Sequence, residues 1–174
     1  MTRHPGGEAA TLRLLSLSGI APPCRVIDLG AGDGDAVRAL RVRGFGAVGI
    51  DLSPGADVER GDILAPPFPP GCFDAALSQC AFFLTGDVPA AFRAAYSLLR
   101  PGGVFMYSDI VPGGGEALRA LAENAGFSLV SIEDTTPQWR EYYIRALWQG
   151  AAEPPPKGAD IRRSRYLSAI FRRP

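Results

Sequence analysis

The stretch Val26-Ile27-Asp28-Leu29-Gly30-Ala31-Gly32-Asp33-Gly34-Asp35 constrains this chain more than any other. Its apolar half is too short for a helix, and glycines then recur on alternate residues, which predicts a buried strand running into a tight turn. Glycine lets backbone approach a ligand with no Cβ in the way. The helix that follows, with Ala36, Val37 and Leu40 on one face, would offer free N–H groups at its start. The turn therefore reads as a ligand cradle.

The acidic residues narrow the ligand. A dinucleotide turn spaces its glycines G-x-G-x-x-G, whereas these run G-x-G-x-G with Asp28 two residues before the first. A carboxylate there suits a cation better than a pyrophosphate. The second strand, residues 47–52, carries Asp51 17 positions past Gly34, where a carboxylate can accept both hydroxyls of a ribose. An adenosine-type ligand fits these features.

Taken in order, the motifs resemble those of the class I S-adenosylmethionine (SAM)-dependent methyltransferases. Asp28-Leu-Gly30-Ala31-Gly32-Asp-Gly34 is similar to the family's first motif, Gly49-Ile-Asp51 to its second-strand acid, and Gly61-Asp62-Ile63 to its third-strand turn. Residues 67–79, containing Phe73-Asp74, resemble the start and body of its fourth strand, and Leu98-Leu99-Arg-Pro101-Gly102-Gly103 the approach to its fifth. The resemblance spans residues 10–134. It implies SAM as cofactor and S-adenosylhomocysteine (SAH) as product. By position, Asp28 and the backbone of Gly30, Ala31, Gly32 and Gly34 would hold the methionine moiety, Asp51 with Leu52 the ribose, and Asp62 with Ile63 the adenine. Ser78 and Gln79, leaving strand four, would face the methyl group.

Composition excludes several alternatives. Eighteen basic and 18 acidic residues cancel, so no whole-molecule field draws the chain to nucleic acid or to an anionic membrane. No apolar run approaches the ~20 residues of a membrane span, and the first residues lack a secretory core. A cytoplasmic protein acting on a small molecule is expected. Cys24, Cys72 and Cys80 are odd in number and lack metal-ligand spacing, so neither a disulfide framework nor a metal site is expected. Lys157 is the one lysine among the 18 basic residues, a bias that points to a GC-rich bacterial genome.

At 174 residues the chain fits one domain. Residues 1–20 read as an N-terminal cap helix over the cleft or against the sheet edge. Alternating strands and 10–13-residue helices predict an α/β fold with a doubly wound, mostly parallel sheet, and the resemblance implies a seven-stranded, Rossmann-like sheet with an antiparallel last strand. Val88, Ala91, Phe92, Ala95, Tyr96 and Leu99 make one buried stripe of a helix. Residues 135–160 read as an insertion before the last strand. Its helix, 137–149, carries Trp139, Tyr142, Tyr143, Ala146 and Leu147 on one face, with Ile144 and Trp148 off it, and a Pro-rich linker follows.

In a methyltransferase the cofactor carries the reactive group, so no catalytic side chain is obligatory. The candidates are Asp109 at the end of strand five, Cys80 and His4. Cys80, Phe82, Phe83, Trp139 and Tyr143 are the candidates for the substrate wall, with the helix of 137–149 either a lid or a homodimer contact. The strand-four exit Ser78-Gln79-Cys80-Ala81 lacks the Asn/Asp-Pro-Pro-aromatic signature of amide and exocyclic-amine methyltransferases. Cys80 resembles a thiol of arsenite methyltransferases, but Cys24 and Cys72 should not reach it. A basic cluster, Arg162, Arg163, Arg165, Arg172 and Arg173, reads as a solvated edge. Three readings compete with small-molecule methyl transfer: a SAM-binding protein without transfer activity that serves a partner, an arsenite-type methyltransferase, and an NAD-dependent oxidoreductase.

Overall fold

The computed structural model describes residues 4–150 and 164–174. Strands β1 (Arg25–Leu29), β2 (Gly46–Asp51), β3 (Glu59–Arg60), β4 (Phe73–Gln79), β5 (Leu99–Val111), β6 (Ser128–Asp134) and β7 (Arg165–Arg172) form one sheet. Their order is 3-2-1-4-5-7-6. β7 runs antiparallel to both β5 and β6, and the other pairings are parallel. The expected doubly wound sheet with its reversed last strand is what the chain forms.

Alternation along the central strands sorts the side chains onto two faces. Val26, Ala75, Leu77, Val104, Met106 and Ile170 pack on one face with Leu14 of α1 (Gly7–Ser18) and Val37 and Leu40 of α2 (Asp35–Val42). Ile27, Leu29, Phe105, Tyr107 and Phe171 pack on the other with Ala91, Phe92 and Ala95 of α3 (Val88–Leu98) and Leu118 and Ala122 of α4 (Gly114–Asn124). The aromatic side chains meet mostly edge-on or tilted, as between Phe82 and Phe92 at 5.5 Å. The helical stripe read from sequence is buried at Ala91, Phe92 and Ala95. Leu99 leaves it, because the chain turns extended there and opens β5.

Helix α5 (Thr136–Trp148) follows β6 and is tied at its start to β7: the Thr135 N–H donates to the Tyr166 carbonyl at 3.0 Å and the Tyr166 N–H to Thr136 Oγ1 at 2.9 Å. Trp139 and Ala146 are buried, whereas Ile144 and Trp148 face outward among the described residues. The Pro-rich linker and Arg162 and Arg163 lie outside the described residues. The rest of the basic cluster is bound locally: Arg173 donates to the carbonyls of Tyr96 and Leu99 and stacks over the Tyr96 ring, and Arg172 donates to the Gly102 carbonyl.

Candidate active site

A cavity of about 470 Å³ opens beyond the carboxyl ends of β1, β2 and β4. That rim is where open α/β sheets bind ligands. Asp28, Gly30, Ala31, Gly32, Asp51, Leu52, Asp62, Ile63, Gln79 and Cys80 all line it. Gly30 has φ 85, and a Cβ on it would lie 2.2 Å from that of Ala81, so the first turn glycine is dictated by the close approach of the β4 exit.

The turn spends its amide donors internally. Gly30 and Ala31 both donate to the Ile50 carbonyl, Gly34 donates to the Ala31 carbonyl, and Gly32 donates to Asp51 Oδ2 at 2.9 Å. These bonds hold the turn itself, whereas the helix start, where free N–H groups were expected, has no side-chain cap. Asp51 Oδ1 also accepts from the Ser53 N–H at 2.8 Å, and Asp62 from the Leu64 N–H at 2.8 Å. These bonds fix both carboxylates while both residues still face the cavity.

Asp28 is different. It is 4% exposed, lines the cavity, and among the described residues receives no hydrogen bond. Burial, and then the nearby charge of Asp51, push its carboxyl up to about 7. A cation seated in the cavity would offset both effects, whereas an anion would worsen them. The residues present therefore fit a ligand with an amino-acid cation, such as SAM.

Several expected site residues lie elsewhere. Ser78 is buried and donates its hydroxyl to the Leu29 carbonyl at 2.8 Å, locking β4 to β1. Gly34 lies outside the cavity lining and starts α2. Phe82 is in the core, and Phe83, Trp139 and Tyr143 are not among the lining residues. Trp139 stacks between Tyr143 and Tyr166, one layer behind Cys80. It is a buried packing residue and not a cavity wall.

The three catalytic candidates also separate. Asp109 is buried and accepts the N–H groups of Phe83 at 3.0 Å and Ile110 at 2.7 Å, so it fastens the 3-10 turn Phe82–Thr85 to β5. Burial raises its carboxyl to about 6 against the lowering effect of those donors, and it lies outside the cavity. Cys80 has a left-handed backbone, φ 56, and its Sγ lies 2.9 Å from Tyr166 Oη. Burial pushes that thiol up to about 12, so it is protonated at neutral pH and a poor nucleophile or metalloid ligand. Cys72 precedes β4 and Cys80 follows it, a separation of roughly 25 Å at 3.3 Å per residue. His4 does line the cavity, with Nδ1 3.4 Å from Gln79 Nε2.

Sequence reasoning missed Leu84 and Thr85, which line the cavity from the 3-10 turn, and Thr11, whose hydroxyl donates to Gln79 Oε1 at 2.7 Å. Leu84 follows the Phe82-Phe83 pair, so an apolar run was the only signal for it. Thr11 shares the buried face of α1 with Gly7, Leu14 and Ser18, a face that the leucine pattern did not mark. Leu52 and Leu84 remain 64% and 79% exposed at the cavity lip, which leaves two apolar side chains available to a flat ring.

The methyltransferase-domain family profile matches residues 27–107, from β1 through the turn to β5. That segment and the sheet that carries it are similar to those of the class I, Rossmann-like SAM-dependent methyltransferases. SAM is the cofactor this family uses. The chain is 34% identical over 112 residues to a malonyl-[acyl-carrier protein] O-methyltransferase of Serratia marcescens, a match covering 58% of this chain and 44% of that protein. It spans about half or less of the curated relatives it matches first. Among solved structures, the [4+2]-cyclase SpnF superposes with a TM-score of 0.74 at 20% identity, covering 100% of this chain and 84% of that one. Geranyl diphosphate C-methyltransferase from Streptomyces coelicolor A3(2), solved with Mg2+, geranyl diphosphate and SAH, gives a TM-score of 0.74 at 20% identity, covering 96% and 79%. At such identities the likeness is one of fold, and a methyltransferase and a cyclase share it.

Proposed function

We propose that this chain binds SAM and transfers its methyl group to a small-molecule acceptor, in the manner of a bacterial cytoplasmic enzyme. The observation that carries the reading is the Asp28 carboxylate at the cavity wall, raised by burial and then by the charge of Asp51. Asp28 would take the ammonium of the methionine moiety, with the Gly30–Gly32 backbone beneath it. Asp51 would take the ribose hydroxyls, and Asp62 the adenine, whose ring would lie between Leu52 and Leu84 with Ile63 below. SAM supplies an activated methyl group, and the protein contributes placement and exclusion of water.

Acting on small molecules is supported by the names of relatives such as the Serratia malonyl-carrier enzyme and the geranyl diphosphate methyltransferase. No helix among the described residues is long and apolar enough to cross a membrane. The arsenite-type reading loses its support at the protonated Cys80 thiol, and the nicotinamide reading at a lining that sets Asp28, Asp51 and Asp62 where a pyrophosphate would bring more negative charge. Binding without transfer keeps one argument, since the fold is shared with a cyclase. Calorimetric titration with SAM, SAH and NADH tests the cofactor: tight SAM and SAH with no NADH is expected, and comparable NADH affinity would falsify the reading. A radiolabelled methyl-transfer screen separates transfer from binding alone.

A further inference from the structure

One lip of the cavity is a short turn with little packing of its own. Ala81, Leu84 and Thr85 line the cavity from the 3-10 turn Phe82–Thr85 and the residue before it. Phe83 and Leu84 are exposed, so burial does little to place them. Phe82 alone enters the core, its ring centroid 5.5 Å from those of Phe92 and Phe105. The backbone of the turn is fixed instead by β5. The Cys80 N–H donates to the Ser108 carbonyl at 2.9 Å, and the Phe83 N–H donates to Asp109 Oδ2 at 3.0 Å. The N–H groups of Phe82 and Ala81 also act on that carboxylate. Asp109 Oδ1 accepts from the Ile110 N–H at 2.7 Å, which orients the group toward the turn.

Asp109 is an expensive residue to keep in this place. It is buried, and the ionisable groups around it, the Cys80 thiol and the Tyr107 and Tyr166 phenols, are held protonated by burial and offer it no positive charge. Its carboxyl stands at about 6 even with the backbone donors pulling it down. A well-packed apolar side chain avoids that cost of desolvation, so core stability alone does not account for a carboxylate there. What its oxygens do fix is the turn that carries Leu84 and Thr85. Resting on the cofactor reading above, we propose that Asp109 is a positioning residue for the cofactor: by accepting the N–H groups of the turn after β4, it sets where Leu84 and Thr85 stand against the adenine. The same turn presses Ala81 against Gly30, where a Cβ would come within 2.2 Å, so a slip of the turn is felt on the glycine side of the cavity as well.

The proposal is tested by calorimetry on the full chain with SAM, SAH and 5′-methylthioadenosine, which keeps the adenine and lacks the amino-acid moiety. Asp109→Asn leaves one oxygen to serve the N–H groups of Phe83 and Ile110, while Phe82 still anchors the turn in the core. It should weaken all three ligands about 10-fold, the scale of one lost hydrogen bond to a charged group. Leu84→Ala, at an exposed position, should weaken them by a similar factor. Because Asp109 acts through Leu84, the double variant should bind little worse than the weaker single variant, rather than with the ~100-fold loss of two independent changes. Reciprocity supplies a second measurement on the unaltered protein: if the Asp109 bonds favour the cofactor, the cofactor favours the bonds. The Phe83 amide, outside the cavity lining, should therefore exchange with solvent several-fold more slowly in saturating SAM.

A purely structural Asp109 predicts that Asp109→Asn unfolds at lower denaturant and yet binds all three ligands as wild type does, and that result overturns the proposal. Additive losses in the double variant overturn it too, as does a loss for SAM and SAH that spares 5′-methylthioadenosine. Should Asp109→Asn not fold, amide exchange in wild type decides: a slowed Phe83 amide supports the proposal and an unchanged one overturns it. No SAM binding by wild type fails the cofactor reading itself, and this inference with it.

Discussion

Asp28, one residue before the end of β1, and Asp51, the last residue of the neighbouring parallel strand β2, line one cavity, and the charge of Asp51 acts on Asp28. Burial comes first and the Asp51 charge second in holding Asp28 up to about 7. The sign for the empty protein follows by linkage: a raised carboxyl binds its proton more tightly folded than unfolded. Its stabilising effect is present below the ordinary 3.8 and is lost as pH rises to about 7. Asp28→Asn is therefore expected to be more stable than wild type at pH 8, by on the order of 2 to 4 kcal/mol in denaturant melts, and at the same pH to lower SAM affinity. A variant that lost both stability and binding would mark Asp28 as a packing residue.

The same ionisation governs cofactor affinity. A cationic ligand binds the charged carboxylate, so SAM affinity is expected to rise as pH passes through about 7. It should fall again where the ligand's own ammonium titrates, ordinarily near ~8. Calorimetry from pH 5.5 to 9 measures this curve, and 5′-methylthioadenosine, which lacks the amino-acid moiety, is the control expected to stay flat. A flat curve for SAM would remove Asp28 from the ammonium site.

Asp51 combines two tasks, since its carboxylate holds the Gly32 N–H and also faces the cavity. Asp51→Ala should weaken SAM by on the order of 2 to 4 kcal/mol, because ribose hydroxyls lose a charged acceptor and the turn loses a tie. Asp62→Ala is expected to cost less, its bond to Leu64 being local. Equal affinity of Asp51→Ala and wild type would reduce Asp51 to a strand-end residue.

What could be read from sequence was what local periodicity and motif spacing encode. Alternating glycines, Asp28 and the apolar runs marked the turn and the strands, because each is decided within a few residues, whereas the reversed last strand pairs with β5 some 60 positions away and came only with the family resemblance. Asp109 was misjudged because its partners, the amides of Phe83 and its neighbours, are some 25 positions away and invisible to spacing. Trp139 illustrates the same limit. Helical periodicity shows that α5 has an apolar face, but not that Tyr166 of β7 covers it. The left-handed backbone of Cys80 left no mark in sequence, since glycine is the usual residue for that conformation.

Trp139 is 5% exposed and lies parallel to Tyr166, with ring centroids 6.2 Å apart, while the Tyr166 hydroxyl sits 2.9 Å from the Cys80 thiol. Truncating a buried aromatic leaves a cavity costing ~3 to 5 kcal/mol, so Trp139→Ala should lower the melting temperature by many degrees. Tyr143 stacks on the outer side of Trp139 and is more exposed, so Tyr143→Ala should cost far less. Tyr166→Phe keeps the stack and removes the hydroxyl shared with Cys80 and Ser108. It isolates the polar link, with an expected loss of about 1 kcal/mol. Denaturant melts of the three variants, alongside SAM titrations, distinguish a packed layer from a substrate wall. A packed layer predicts the order Trp139→Ala, Tyr166→Phe, Tyr143→Ala in lost stability, with SAM affinity retained wherever the protein stays folded. A stable Trp139→Ala that binds SAM normally yet transfers no methyl would return α5 to the substrate wall.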